Sequence, residues 1–160
     1  MSTCIYPGSF DPVTLGHLDI VNRALKMFDR VIVVVLHNPA KKGGSFSIED
    51  RVKLLQAAFE GMEGVEVDSY GGMTSDYAMK VGADAIIRGL RGMSDWESER
   101  TLAQWNRRLA NIETLFLASN PLDELISSSA VRELMAFGGP WQEYVPEATI
   151  PLIEQMLQKR

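Results

Sequence analysis

Two stretches of this 160-residue chain carry side chains suited to gripping phosphate groups. The first reads Tyr6-Pro7-Gly8-Ser9-Phe10-Asp11-Pro12-Val13-Thr14-Leu15-Gly16-His17. It is neither a G-x-G-x-x-G dinucleotide loop nor a Walker A loop with its G-K-S/T ending. It offers a hydroxyl at Ser9, a glycine at Gly16 that lets backbone approach a ligand, and His17 where a helix should begin. Such a terminus attracts anions through its unpaired N–H groups and its dipole, and the same dipole disfavours imidazolium. His17 then reads either as a neutral hydrogen-bond donor or as a capping and packing histidine. The second stretch is Ser127-Ser128-Ser129 with Arg132 one turn later. Serines cap helices, and the exposed N–H groups of a capped terminus also form a phosphate site, so the two readings are compatible. Local positive charge stands at Lys41-Lys42 and at Arg88 with Arg91.

Other chemistries find little support. Cys4 is the lone cysteine, and it lies in an apolar run that would bury it, whereas a reactive cysteine is an exposed thiolate. His17 and His37 have no second cysteine to join them, so a structural zinc site is disfavoured and no metal-ligating set is expected. The net charge of −5 opposes non-specific nucleic-acid binding. No apolar run approaches the roughly 20 residues that span a bilayer, and MSTCIYPGSF lacks the features of a signal peptide, so a cytoplasmic location away from membranes is expected.

The elements that must position these residues alternate along the chain. Apolar runs at Cys4–Tyr6, Val31–Leu36, Val65–Val67, Ala85–Ile87 and Leu115–Ala118 read as strands. The continuous run from Val31 to Leu36 is typical of a parallel strand covered on both faces. Leu18, Val21, Leu25 and Phe28 follow helical spacing. Further helices are expected after Ser47, from Thr74 or Ser75 to Gly82, from a Ser94/Glu97 capping box to about Asn111, and from Ser127 to Gly138. Pro146 and Pro151 suit helix starts, although Pro151 would break a long C-terminal helix. Trp96, Trp105 and Trp141 read as core or subunit contacts rather than base-stacking platforms. The expectation is an α/β, Rossmann-like doubly wound sheet of five parallel strands, forming a single domain over residues 1–160. With strand order 3-2-1-4-5, the loops after Tyr6 and Ile87 would face one crevice at the carboxyl edge.

Thr14-Leu15-Gly16-His17 resembles the T/H-x-G-H signature of the nucleotidyltransferase superfamily, and Ile126-Ser127-Ser128-Ser129-Ala130-Val131-Arg132 resembles its I-S-S-S-x-x-R signature. Together with Tyr6–Pro12, Lys41-Lys42 and Ile87-Arg88-Gly89-Leu90-Arg91-Gly92, the whole chain resembles the bacterial phosphopantetheine adenylyltransferases. That resemblance implies transfer of an adenylyl group from ATP to 4′-phosphopantetheine, forming dephospho-CoA and pyrophosphate in coenzyme A biosynthesis. The acceptor phosphate, with a second pKa of about 6, is already ionised at neutral pH and needs no general base. The catalytic residues implied are His17, Lys41, Ser9 and Arg91. ATP contacts are implied at Ser9, Phe10, His17, Gly89, Leu90, Arg91, Glu99, Ser127, Ser128 and Ser129, and acceptor contacts at Ser9, Lys41, Met73, Thr74 and Arg88. Leu125 replaces an aromatic residue common in relatives, which limits ATP contacts from Leu122 to Leu125 to the backbone. The family further implies Mg²⁺ with ATP, a homohexamer and inhibition by CoA. A nicotinate-mononucleotide adenylyltransferase or a cytidylyltransferase would share His17 and the serine run, while intact Ser9, His17, Lys41 and Arg91 count against a non-catalytic nucleotide sensor.

Overall fold

The computed structural model describes residues 1–160. Five strands, β1 (Thr3–Gly8), β2 (Arg30–Leu36), β3 (Val65–Tyr70), β4 (Ala85–Leu90) and β5 (Glu113–Ala118), form one parallel sheet in the order β3-β2-β1-β4-β5. The crossovers carry α1 (Leu15–Ala24), α2 (Ile48–Ala58), α3 (Thr74–Val81) and α4 (Met93–Ala110). Then follow α5 (Ser128–Phe137) and α6 (Ile150–Gln158).

Alternation along the strands divides the core in two. Cys4, Tyr6, Val31, Val33 and Val35 point toward α1 and α2, where they pack with Ile20, Val21, Leu54 and Leu55. Ile5, Ile32, Val34 and Ile86 point the other way, onto Tyr77 and Ala78 of α3. The run Val31–Val35 is buried throughout, which is why its sequence does not alternate. Each such side chain contributes roughly 1.5–3 kcal/mol of burial free energy. No helix is long and apolar enough to cross a membrane.

Three local expectations are corrected. The helix after β4 begins at Met93 with Gly92 as its cap and no side-chain cap bond, so Ser94 and Glu97 form no capping box. Asp95 reaches back instead, accepting the Arg91 N–H at 3.3 Å. The pattern through Leu25 and Phe28 outlasts its helix, because Lys26, Met27 and Phe28 turn tightly onto Arg23 and Ala24 after α1 ends. Pro151 sits in the first turn of α6 and breaks nothing, since the missing N–H there has no helical partner to lose. Of the tryptophans, Trp141 is core, Trp96 packs edge-on against Phe116, and Trp105 is exposed.

Candidate functional site

The cleft arises where two neighbouring strands part. β1 pairs with β2 along its whole length, from Thr3↔Arg30 to Gly8↔Val35, but with β4 only at Cys4↔Ala85 and Ile5↔Ile86. Beyond that point Tyr6–Gly8 and Ile87–Leu90 diverge and leave a gap at the carboxyl edge, beside the switch in strand order. A cavity of about 310 Å³ opens there. Ser9 and Phe10 line it from the loop after β1, His17 from α1, Arg88, Gly89 and Arg91 from β4 and the turn after it, Glu99 from α4, and Ser127, Ser128, Ser129 and Arg132 from the cap and first turns of α5. A second cavity of about 210 Å³ shares Ser9, Arg88 and Glu99 with the first and continues past Thr74, Leu102, Asn106 and Thr114.

His17 is held by the start of its own helix. Thr14 caps α1, and the Thr14 N–H donates to His17 Nδ1 at 2.9 Å, completing a capping box in which histidine takes the place usual for glutamate. An Nδ1 that accepts carries no proton, so the neutral ring must carry its proton on Nε2. Burial, reinforced by the charges of Arg88 and Arg91, pushes the His17 pKa down to about 3. The ring is wedged edge-on against Phe10, with centroids 4.8 Å apart, and Phe10 packs in turn against Tyr6. Gly8 makes room for this stack, since a Cβ there would lie 3.1 Å from the Phe10 ring. The capping and donor readings of His17 therefore coexist in one geometry: the cap fixes the tautomer that can donate.

Two helix termini face the same cavity. In α1, the N–H groups of Leu15 and Gly16 have no partner within the protein; in α5, those of Ser128 and Ser129 have none. Ser127 caps α5 by accepting the Ala130 N–H at 3.0 Å. The Ser128 hydroxyl donates to the Pro12 carbonyl at 2.8 Å, and Arg132 donates to the Asp11 carbonyl at 2.8 Å and to the Ser129 hydroxyl at 3.1 Å. The serine run thus ties α5 to the loop after β1 and leaves its amides facing the cleft.

Arg88 is the most constrained cation of the site. It donates from Nε and Nη2 to the Glu99 carboxylate at 2.9 and 2.5 Å, and from Nη1 to the Pro7 carbonyl at 2.5 Å. Burial opposes its charge, but the fork to Glu99 outweighs that and holds its pKa above the usual range. Arg91 is more exposed and stands 3.4 Å from Asp95. Cys4 is fully buried on β1, and burial pushes its thiol up to about 12, which removes the thiolate that a nucleophile would need.

Other residues named from sequence lie apart from the first cavity. Lys41 and Lys42 are exposed in the loop between β2 and α2, Met73 is the exposed cap residue of α3, and Leu90 ends β4; none lines either cavity. All four stand on the carboxyl edge of the sheet that carries the cleft. Thr74 lines the second cavity only. Tyr6, Thr14, Asp95, Ser119 and Asp123 line the first cavity without having been singled out as site residues. Of these, Tyr6 and Thr14 belong to motifs readable in the sequence, Tyr6–Pro12 and T-x-G-H, and Asp95, Ser119 and Asp123 to none.

Strand order and cleft together define a Rossmann-like α/β domain that opens at its switch point. A bifunctional NMN adenylyltransferase/ADP ribose pyrophosphatase from Francisella tularensis superposes with a TM-score of 0.68 at 14% identity, over 90% of this chain and 44% of that longer one, a likeness of fold alone. The cytidylyltransferase-like family model matches residues 5–134. Phosphopantetheine adenylyltransferase of Caldanaerobacter subterraneus subsp. tengcongensis is 46% identical over 99% of this chain and 98% of its own. That of Gloeobacter violaceus is 48% identical over 89% of each. The chain belongs to the phosphopantetheine adenylyltransferase family, within the cytidylyltransferase-like nucleotidyltransferases.

Proposed function

We propose that this protein transfers the adenylyl group of ATP to the phosphate of 4′-phosphopantetheine, releasing pyrophosphate and dephospho-CoA, by a single in-line displacement. The observation that carries the reading is the convergence of a neutral, Nε2-protonated His17 with two open helix N-termini and Arg88 and Arg91 on one cleft. The attacking phosphate is itself ionised, so the protein has no proton to remove. Its work is to hold two mutually repelling anions in line and to stabilise the charge that builds at the α-phosphate. The amides of α1 and α5 suit the ATP phosphates, and His17 Nε2–H suits the α-phosphate oxygen. The second cavity, less polar and sharing Ser9 and Arg88 with the first, suits the pantetheine arm, with its phosphate toward Arg88. Lys41, on the loop after β2 at the same carboxyl edge, is given that phosphate by the family motif. Pyrophosphate release from ATP, measured with phosphopantetheine, nicotinate mononucleotide and glycerol 3-phosphate as acceptors, tests the assignment. Turnover with phosphopantetheine alone is expected, and a preference for either other acceptor overturns it.

The site has no three metal-ligating side chains close enough to cage an ion. Mg²⁺ is accordingly assigned to ATP, as part of the substrate, and no step is routed through it. CoA carries the same pantetheine arm as the acceptor and would compete for the second cavity. Self-association, as a homohexamer, has a ready surface: Leu102, Trp105 and Leu109 repeat at helical spacing on α4, and all are exposed in the single chain. Residues 1–160 act in this reading as one nucleotidyltransferase domain, in the cytoplasm, where ATP and the acceptor are found.

Two kinetic expectations follow from the charges. With acceptor limiting, the rate should fall as pH drops below about 6, because protonating the acceptor phosphate weakens both its attack and its pairing with cations. His17, held down near 3, adds nothing to that limb. A flat profile between pH 5 and 8 with chemistry rate-limiting would rule out a dianion as the attacking group. Lys41→Ala should raise the acceptor KM strongly, whereas Lys42→Ala should act as a surface change within about 0.5 kcal/mol of stability and leave the kinetics alone. Equal kinetic losses at the two positions would show that neither lysine is placed specifically.

A further inference from the structure

A buried ion pair beside the cleft has no part in the roles assigned so far. Asp11 and Arg51 have side chains only 7% and 5% exposed, with Arg51 Nε 3.4 Å from Asp11 Oδ1. A buried pair of this kind costs desolvation, and well-packed apolar residues in its place are often at least as stable, so its bonding pattern shows what it specifies. Asp11 accepts the Ser45 and Phe46 N–H groups, each at 2.8 Å. Arg51 donates from Nε to the Phe46 carbonyl at 2.9 Å, from Nη2 to the Gly43 carbonyl at 3.1 Å, and from Nη1 to the Ser9 carbonyl at 3.2 Å. Every one of these bonds ends on backbone. All but one fall on residues 43–46, the C-terminal part of the loop that carries Lys41, and the remaining one falls on Ser9 at the mouth of the cleft. Gly44 is shaped to the pair: its φ is +104°, and a Cβ there would lie 1.7 Å from Arg51 Nη2 and 3.0 Å from Asp11 Oδ2.

We propose that Asp11 and Arg51 are positioning residues for the acceptor: they lock the Lys41 loop to Ser9, so that the Lys41 ammonium meets the acceptor phosphate without the entropic cost of ordering a loop. The proposal rests on the role given above to Lys41. It predicts an asymmetry, because all the short side-chain bonds of the pair but one run to the acceptor-side loop, while its links to the ATP side are the backbone of Ser9, the Arg132 bond to the Asp11 carbonyl and a long 3.9 Å approach of Arg132 Nη1 to Asp11 Oδ2.

The experiment uses Arg51→Lys, which keeps the charge opposite Asp11 but loses the planar fork that reaches three carbonyls, with Gly44→Ala as a second variant that displaces the guanidinium. Hydrogen exchange at the Ser45 and Phe46 amides reports the lock directly, and kinetics report its consequence. Exchange should quicken in both variants, and the acceptor KM should rise roughly tenfold, as a small misplacement of a binding group can cause. The ATP KM should stay within about twofold, and in a Lys41→Ala background Arg51→Lys should add less than about twofold to the acceptor KM. Parallel rises in both KM values, or the full Arg51→Lys effect persisting without Lys41, would overturn the proposal. Loss of acceptor affinity in Lys41→Ala beside an unaltered Arg51→Lys enzyme would sink the lock while sparing the role of Lys41. A Lys41→Ala enzyme with unchanged acceptor KM would sink that role, and the proposal with it, even if exchange at Ser45 and Phe46 quickens as expected.

Discussion

His17→Ala is expected to turn over 10²- to 10³-fold more slowly, equivalent to about 3–4 kcal/mol of transition-state stabilisation, the usual cost of removing one preorganised donor from a developing oxyanion. The substitution also deletes half of a capping box, since the Thr14 N–H loses its acceptor at 2.9 Å. Stability should therefore fall by roughly 1 kcal/mol, as for other lost caps. His17→Gln separates the two effects. Glutamine at the third helical position can accept the Thr14 N–H through Oε1, restoring the cap, but with its amide turned back it presents no counterpart of Nε2–H to the cleft. The glutamine variant should melt close to the parent yet remain as slow as the alanine variant. Turnover within about threefold of the parent in a folded His17→Gln protein would reduce His17 to a cap.

What was readable in the sequence and what was not divide along a physical line. The five-stranded parallel α/β architecture followed from apolar runs alternating with helical spacings, because burial sets those patterns and crossovers join parallel strands. The order β3-β2-β1-β4-β5, on which the crevice between β1 and β4 depends, is set by long-range pairing and is read from the sheet itself. The anion-binding ends of α1 and α5 were readable because helix starts announce themselves through local side chains such as Thr14 and Ser127. The failure at Ser94 and Glu97 has the same root. The S-x-x-E pattern marks a helix start only where the backbone at serine is extended, and here Gly92 takes the extended conformation two residues earlier, leaving Ser94 inside the first turn. Contacts between segments distant in sequence were out of reach. Nothing in the local pattern around Asp11 announces that its carboxylate will take the amides of Ser45 and Phe46, or that Arg51 will return to Ser9. The binding of Glu99 to Arg88 was equally hidden: the resemblance implies Glu99 as an ATP contact, and only the fold shows its carboxylate satisfying the most constrained cation of the cleft.

That pairing makes Arg88 the position with the other large expected effect. In Arg88→Ala the acceptor phosphate loses a cation, and the Glu99 carboxylate, whose side chain is 12% exposed, is left in the cleft with no partner of opposite charge. Both changes oppose the binding of two anionic substrates. Truncating one member of a buried hydrogen-bonded charge pair typically costs about 2–5 kcal/mol, much of it from the partner left behind, so kcat/KM for the acceptor should fall by roughly 10²- to 10³-fold. The contribution of the stranded carboxylate can be measured by neutralising it. Arg88→Ala with Glu99→Gln should recover about tenfold of the loss, because an amide in the same place neither repels phosphate nor demands a counter-charge. Glu99→Gln alone should instead weaken the enzyme, since Arg88 would keep only one acceptor from that side chain and lose the fork that orients it. Recovery in the double variant, against loss in the single one, is the signature of a carboxylate whose work is to hold Arg88. If the double variant is slower than Arg88→Ala, Glu99 acts on ATP directly, and its bond to Arg88 is incidental to catalysis.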